Sequence, residues 1–332
     1  MKKIISAFLT LYLFLFLNSN FIYAQQFGLS ITPPHLEVII KPDKSILIAY
    51  TVRNFGDPIT LKANVYSFKP KDNYGNIEIK PILEGPVRFS LDNADVSLNQ
   101  PFFLKSKDEQ QLLLRIRVTE GAPEGDYYQT FMIETVPNPS INNQTGSQAK
   151  GRIGSNILIT VTLEGRVDLK GNITIFDILP RYKIDFQGIK FKLLDSNDPI
   201  HVVLMLENKG KNMIKPNGDI ILKGNFGEKA TFNIIPQNII SESQRQITAS
   251  TSAEINCDVQ KKPFYCLHPS SFIISGFFLG KYSLSTTINF GEGSPNVSAT
   301  VEFVALPIKF LLGLASIIIA TLFILKVQKQ KE

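Results

Sequence analysis

Gln110-Gln111-Leu112-Leu113-Leu114-Arg115-Ile116-Arg117-Val118 alternates with a period of two. Leu112, Leu114, Ile116 and Val118 fall on one side of an extended chain, and Leu113, Arg115 and Arg117 on the other. Successive strand side chains point to opposite faces, so this is a strand with one apolar and one largely charged face. Ser45 to Val52 repeats the pattern with Ile46, Ile48, Tyr50 and Val52, and so do Val202, Leu204 and Leu206. Pro and Gly fall between these runs, and no stretch away from the two ends keeps a helical stripe. Short strands about ten residues apart, separated by turn residues, predict a β-sandwich architecture.

An internal repeat splits the strand-rich region. The run Ile48 to Arg53 closes on Asn54-Phe55-Gly56, and Val202 to Glu207 closes on Asn208-Lys209-Gly210. Gly125-Asp126-Tyr127 opens a late strand, and Gly280-Lys281-Tyr282 opens its counterpart. The two pairs of landmarks are 154 and 155 residues apart. The first half carries extra residues around Lys71 to Leu98 and the second around Cys257 to Ser271, so the order of the landmarks says more than their constant spacing. Asn54, Gly56, Asn208 and Gly210 are expected to serve turns that need positive φ. Tyr127 and Tyr282 are expected to form tyrosine corners, packing the phenol inward and tying the hydroxyl back to the backbone. The prediction is an all-β chain of two tandem immunoglobulin-like β-sandwich domains, 27–165 and 170–304.

The ends read differently. Residues 1–24 match a signal peptide: Lys2-Lys3, an apolar run from Ile4 to Leu17, a polar Asn18-Ser19-Asn20, and Ala24 before Gln25. Ile22 is large for its place before such a cleavage site, which leaves an uncleaved anchor as the other reading. Phe310 to Leu325 holds sixteen uncharged positions and is followed by Lys326, Lys329 and Lys331. With Lys309 snorkelling to the interface, 306–325 is long enough for a transmembrane helix, and a basic tail at 326–332 stays cytoplasmic. The expected location is the cytoplasmic membrane, with everything from Gln25 to Ala305 on its outer side.

Of the formal charge of +6, the leader supplies two and the tail a net two, leaving +2 for the rest. A basic surface for nucleic acid is therefore not expected. Cys257 and Cys266 enclose eight residues; outside the cytoplasm they suit a loop disulfide, with free thiols or a metal site as the other readings. The polar connection Pro137 to Gly151 reads as a solvated hairpin or a recognition loop. Sequons stand at Asn143, Asn172 and Asn296. His35, His201 and His268 are isolated, and no zinc, nucleophile-elbow or phosphate-loop motif occurs. Asp92 with Asp95 and Asp195 with Asp198 sit in turns, where structure or calcium would use them. No cofactor, metal or catalytic residue is assigned, and the chain is expected not to be an enzyme.

Domain one, with Ile31-Thr32-Pro33-Pro34, Lys41-Pro42-Asp43, Asn54-Phe55-Gly56, Val65 to Phe68, Tyr74-Gly75-Asn76 and Gly125-Asp126-Tyr127, resembles the first domain of the WxL-interacting cell-surface proteins of bacteria. Domain two, with Glu207-Asn208-Lys209-Gly210, Lys215-Pro216-Asn217-Gly218, Phe226-Gly227 and Gly280-Lys281-Tyr282, is similar to related membrane-anchored envelope proteins. The resemblance implies a non-enzymatic protein presenting its two domains to cell-wall polymer or a surface protein, and assigns no residue to either role. The insertion bearing Cys257 and Cys266 departs from the pattern. The start of domain one also resembles periplasmic pilus-assembly chaperones, which implies the alternative: a membrane-tethered assembly factor that binds clients by strand addition.

Overall fold

The computed structural model describes residues 26–136, 150–186, 188–251, 265–268 and 271–329. The signal segment, Cys257, Asn143 and most of the Pro137 to Gly151 connection lie outside the described residues, and the Cys257–Cys266 pairing with them. Cys266 itself falls in a short strand.

The first half forms β1 (Leu29–Thr32), β2 (His35–Ile40), β3 (Ser45–Asn54), β4 (Ile59–Pro70), β5 (Ile77–Ile79), β6 (Val87–Leu91), β7 (Pro101–Leu104), β8 (Glu109–Val118), β9 (Gly125–Thr135) and β10 (Arg152–Val161). One sheet runs β1-β3-β8-β6 and the other β2-β10-β9-β4-β5, with β7 beside β4. Leu112, Leu114, Ile116 and Val118 of β8 are fully buried, against Tyr50 and Val52 of β3 and Phe131 and Ile133 of β9. The period of two thus places one side of each strand in a shared core. The Lys71 to Leu98 excess is not an appended loop: it supplies β5 and β6, and Val87 joins the core.

The second half forms β11 (Gly171–Ile178), β12 (Tyr182–Phe186), β13 (Ile189–Asp195), β14 (Ile200–Asn208), β15 (Asn217–Gly224), β16 (Lys229–Ile234), β17 (Gln244–Gln246), β18 (Ala249–Thr251), β19 (Tyr265–His268), β20 (Ser271–Ile274), β21 (Gly280–Asn289) and β22 (Val297–Leu306). Its sheets run β11-β14-β20-β19, with β17 beside β14, and β12-β13-β22-β21-β15-β16-β18. A separate core runs from Ile178 to Ala305, with Tyr282 stacked on Phe303 at 5.5 Å.

Both halves open in the same way. β1 pairs antiparallel with β3, the chain crosses to the other sheet through the cis Thr32–Pro33 peptide, and β2 closes parallel on β10. β11 pairs antiparallel with β14, and β13 then closes parallel on β22. This sheet-switching first strand, with its parallel pairing to the last, makes the fold immunoglobulin-like. β22 leads through Pro307 into α1 (Ile308–Lys329), which is long and apolar enough to cross a membrane and exposed along its length from Lys309 to Lys326.

The landmark residues need a correction of reason. Neither asparagine nor Gly56 nor Gly210 has positive φ. A side chain on Gly56 would put its Cβ 2.1 Å from the Gln26 carbonyl oxygen, and on Gly210 2.2 Å from that of Asp168. Close approach of the preceding segment demands glycine there, not turn handedness. Gly125 and Gly280, at the start of β9 and β21, are the ones with positive φ, 145° and 94°.

Candidate functional site

The outer face of the first sandwich meets the loops of the second. In β9 the alternation that sends Tyr127 and Phe131 inward turns Asp126 and Tyr128 outward. The Asp126 carboxylate accepts from Thr160 Oγ1 at 2.8 Å, from Tyr128 Oη at 3.0 Å, from Asn212 Nδ2 at 2.8 Å and from the Met213 amide. Tyr128 Oη also accepts from the Ser241 amide at 2.8 Å, and burial with the neighbouring Asp126 charge raises its pKa beyond its ordinary value. Asp126 is the hub of this junction: two partners come from its own sandwich and two from the other.

Beside it the first residues of β2 reach the same loops. Glu37 Oε1 lies 2.9 Å from His35 Nε2, 2.5 Å from Asn238 Nδ2 and 3.4 Å from Lys215 Nζ. Burial pushes the Glu37 carboxyl up, but the bonds from Asn238 and His35 and the Lys215 charge outweigh it, and the carboxyl is held below its usual range.

Of these groups His35 and Asn238 line a cavity of about 110 Å³ between the sandwiches, walled also by Phe68, Leu158, Asp72 and Arg245. Arg245 donates to the Asn238 carbonyl at 2.8 Å, and its guanidinium lies against Gly75, where an added Cβ would come within 2.4 Å of it. Burial lowers its pKa. Arg245 Nε and Asn238 Oδ1 are buried with no hydrogen-bond partner among the described residues. β2 leaves this cavity as the edge of its sheet. Among the described residues no strand pairs with its outer side, and Ile39 is 62% exposed.

The sequence landmarks are not gathered into this site, but Asn208 borders it through Ile239 of the cavity wall. Asn208 Nδ2 donates to the Asn212 and Ile239 carbonyls, both at 2.9 Å, while its Oδ1 accepts from the Gly210 amide at 2.9 Å. Asn54 makes the same three kinds of bond, to the Asp57 and Lys105 carbonyls and the Gly56 amide. Tyr127 Oη donates to the Pro123 carbonyl at 2.9 Å. Tyr282 differs: its hydroxyl accepts from the Leu279 amide at 3.2 Å and donates to Glu228 Oε1 at 3.1 Å. Asp92 faces Arg115, and Asp195 and Asp198 face Lys309 and Arg181. Glu37 and Arg245 carry no signal in the sequence. The only signal for Asp126 was its place inside the Gly-Asp-Tyr landmark.

No family model matches the chain, and no curated protein does. Among solved structures it is similar to the YadV chaperone, at 13% identity and a TM-score of 0.36 over 82% of this chain and 99% of that one. It is similar to the Class 5 fimbriae chaperone CfaA, at 12% and 0.35 over 84% and 100%. It is also similar to the CsuC–CsuE chaperone–tip adhesion subunit pre-assembly complex of Acinetobacter baumannii, at 9% and 0.34 over 84% and 99%. The likeness is one of fold, and what those names say of partners belongs to those proteins. The names of all three are those of chaperones, one of them in complex with a tip adhesion subunit. The expected scaffold presenting two domains to wall polymer or a surface protein is therefore set aside for the alternative weighed beside it.

Proposed function

We propose that this chain is a membrane-tethered assembly factor that holds extended segments of client proteins along the free edge of β2. The observation that carries the reading is the uncovered edge itself, running out of a cleft lined by His35, Asn238 and Arg245. A free edge offers a row of backbone donors and acceptors to an incoming strand, and alternate pockets beside it set which side chains fit. Asn238 and Arg245 line the cavity at the cleft end of that strand. The clients are surface-destined β-proteins short of a strand. α1 keeps the factor at the outer face of the cytoplasmic membrane, where such clients emerge. No step of this function is chemical, so no catalytic group is required.

The test is refolding of an immunoglobulin-like pilus subunit that lacks its last strand, in the presence of the full chain in detergent. An equimolar amount should keep the subunit soluble. Ile39→Lys, which places a charge on the exposed edge, should weaken capture by about tenfold with an unchanged denaturation midpoint. Aggregation as fast with the chain as without it would refute the reading.

A further inference from the structure

α1 does not hang from the second sandwich on a loose tether. A single residue, Pro307, separates β22 from the helix, and the junction is held on several sides. The Leu306 carbonyl accepts from the Ser196 amide at 2.9 Å, and the Lys309 amide donates to Asp195 Oδ2 at 2.9 Å. Lys309 Nζ stands 3.5 Å from Asp198 Oδ1, which Arg181 also reaches at 2.7 Å. Asp195 is buried and caps the start of the helix, as an acidic acceptor suits a helix N-terminus. Whatever surrounds the first turn of α1 therefore also meets this end of the sandwich.

That end is apolar where a soluble domain would be polar. Phe226, at the β15–β16 turn, is 73% exposed; Phe277, before β21, is 64% exposed; and Leu179, after β11, is 58% exposed. Leu279 adds a fourth exposed side chain. Each is tied to the helix junction. The Phe226 ring lies against Gly280, whose strand partner is Ala305. Phe278, next to Phe277, donates its amide to the Ser196 carbonyl at 2.9 Å, and Ser196 in turn bonds Leu306. The Leu179 amide donates to His201, at the start of β14 just beyond the Asp195–Asp198 turn. Large apolar side chains from separate loops thus converge at the end from which the apolar helix leaves, with the cations Arg181 and Lys309 beside them. Aromatic and aliphatic groups flanked by cations are what the interfacial layer of a bilayer accommodates.

We infer that these loops, through Leu179, Phe226, Phe277 and Leu279, embed in the outer interfacial layer of the same bilayer that α1 crosses, which fixes the height and tilt of the ectodomain. The inference rests on the membrane-anchored reading of α1. It gives the second sandwich a role as a base, with the β2 edge of the first held away from the lipid.

The natural chain contains no tryptophan, so single Trp substitutions report without background. Phe226→Trp, Phe277→Trp, Ile317→Trp in α1 and Tyr74→Trp on the first sandwich would each be made in the full chain. Each would be reconstituted in phosphatidylcholine vesicles carrying bromines either high or deep on the acyl chains. Phe226→Trp and Phe277→Trp should lose about half their emission to shallow bromines and little to deep ones, given insertion to roughly 5–10 Å. Ile317→Trp should respond to deep bromines and Tyr74→Trp to neither. Unquenched emission from Phe226→Trp and Phe277→Trp beside a quenched Ile317→Trp would overturn the inference and leave the anchor standing. Emission shielded from aqueous acrylamide yet untouched by bromine would also overturn it, since protein and not lipid would cover the loops. An unquenched Ile317→Trp would overturn the anchor and the inference together.

Discussion

Asn54 and Asn208 each satisfy two carbonyls and one amide from a single buried side chain, and both are 1% exposed. The amide side chain fits because it carries donors and an acceptor together. Replacing it strands three backbone groups out of water, and each such group costs about 1–3 kcal/mol. Asn208→Ala is therefore expected to lower stability by about 3 kcal/mol or more in urea unfolding. Asn208→Asp should cost more, because a carboxylate would face two carbonyl oxygens. A midpoint for Asn208→Asp equal to the wild type would refute this account. The Asn-x-Gly repeat was legible in the sequence, but its reason was not. The glycines are fixed by a neighbouring segment, a contact between positions about 30 and 42 residues apart that no local pattern records.

Asp195 belongs to β13 but does its work on α1. It joins the end of the parallel strand pair to the first turn of the helix. The Lys309 amide is the main influence holding its carboxyl below the usual range, against the opposing effect of burial. A depressed carboxyl contributes stability above its ordinary pKa and loses it as pH falls through the folded value. Asp195→Ala should cost about 1 kcal/mol at neutral pH, as lost helix caps do. The gap between variant and wild type should then close as pH falls below about 3.9, the ordinary aspartate value. Unfolding midpoints measured from pH 7 downward check it; a gap that stays constant into acid would remove Asp195 from this role. The apolar run of α1 was plain in the sequence. The cap was not, because its acceptor lies 114 residues before the amide it holds.

Asp126 sets how the two sandwiches stand to each other. Its four bonds divide equally between them, and bonds to a charged acceptor are worth about 1.5–3 kcal/mol each. Asp126→Ala should leave both cores folded and free their relative orientation. Spin labels placed on the two sandwiches would then give a broader distance distribution than in the natural chain; an unchanged distribution would show that the other contacts suffice. The Glu37 cluster supports the same junction, and its contribution falls away below the ordinary glutamate range as the carboxyl protonates.

The sequence by itself determined the β class, the tandem sandwiches and the apolar segment near the end, because each rests on a local period: two for strands, an unbroken uncharged run for the helix. Only the tertiary structure decided that the first strand of each half switches sheets, that Asp126 and Glu37 of the first half bond loops of the second, and that β2 is left with a bare edge. It also brought apolar side chains from three loops to the foot of α1. These features come from side chains that turn outward, away from the cores whose hydrophobic spacing the sequence displays. Their partners lie up to about 200 residues away, so they carry no periodicity of their own.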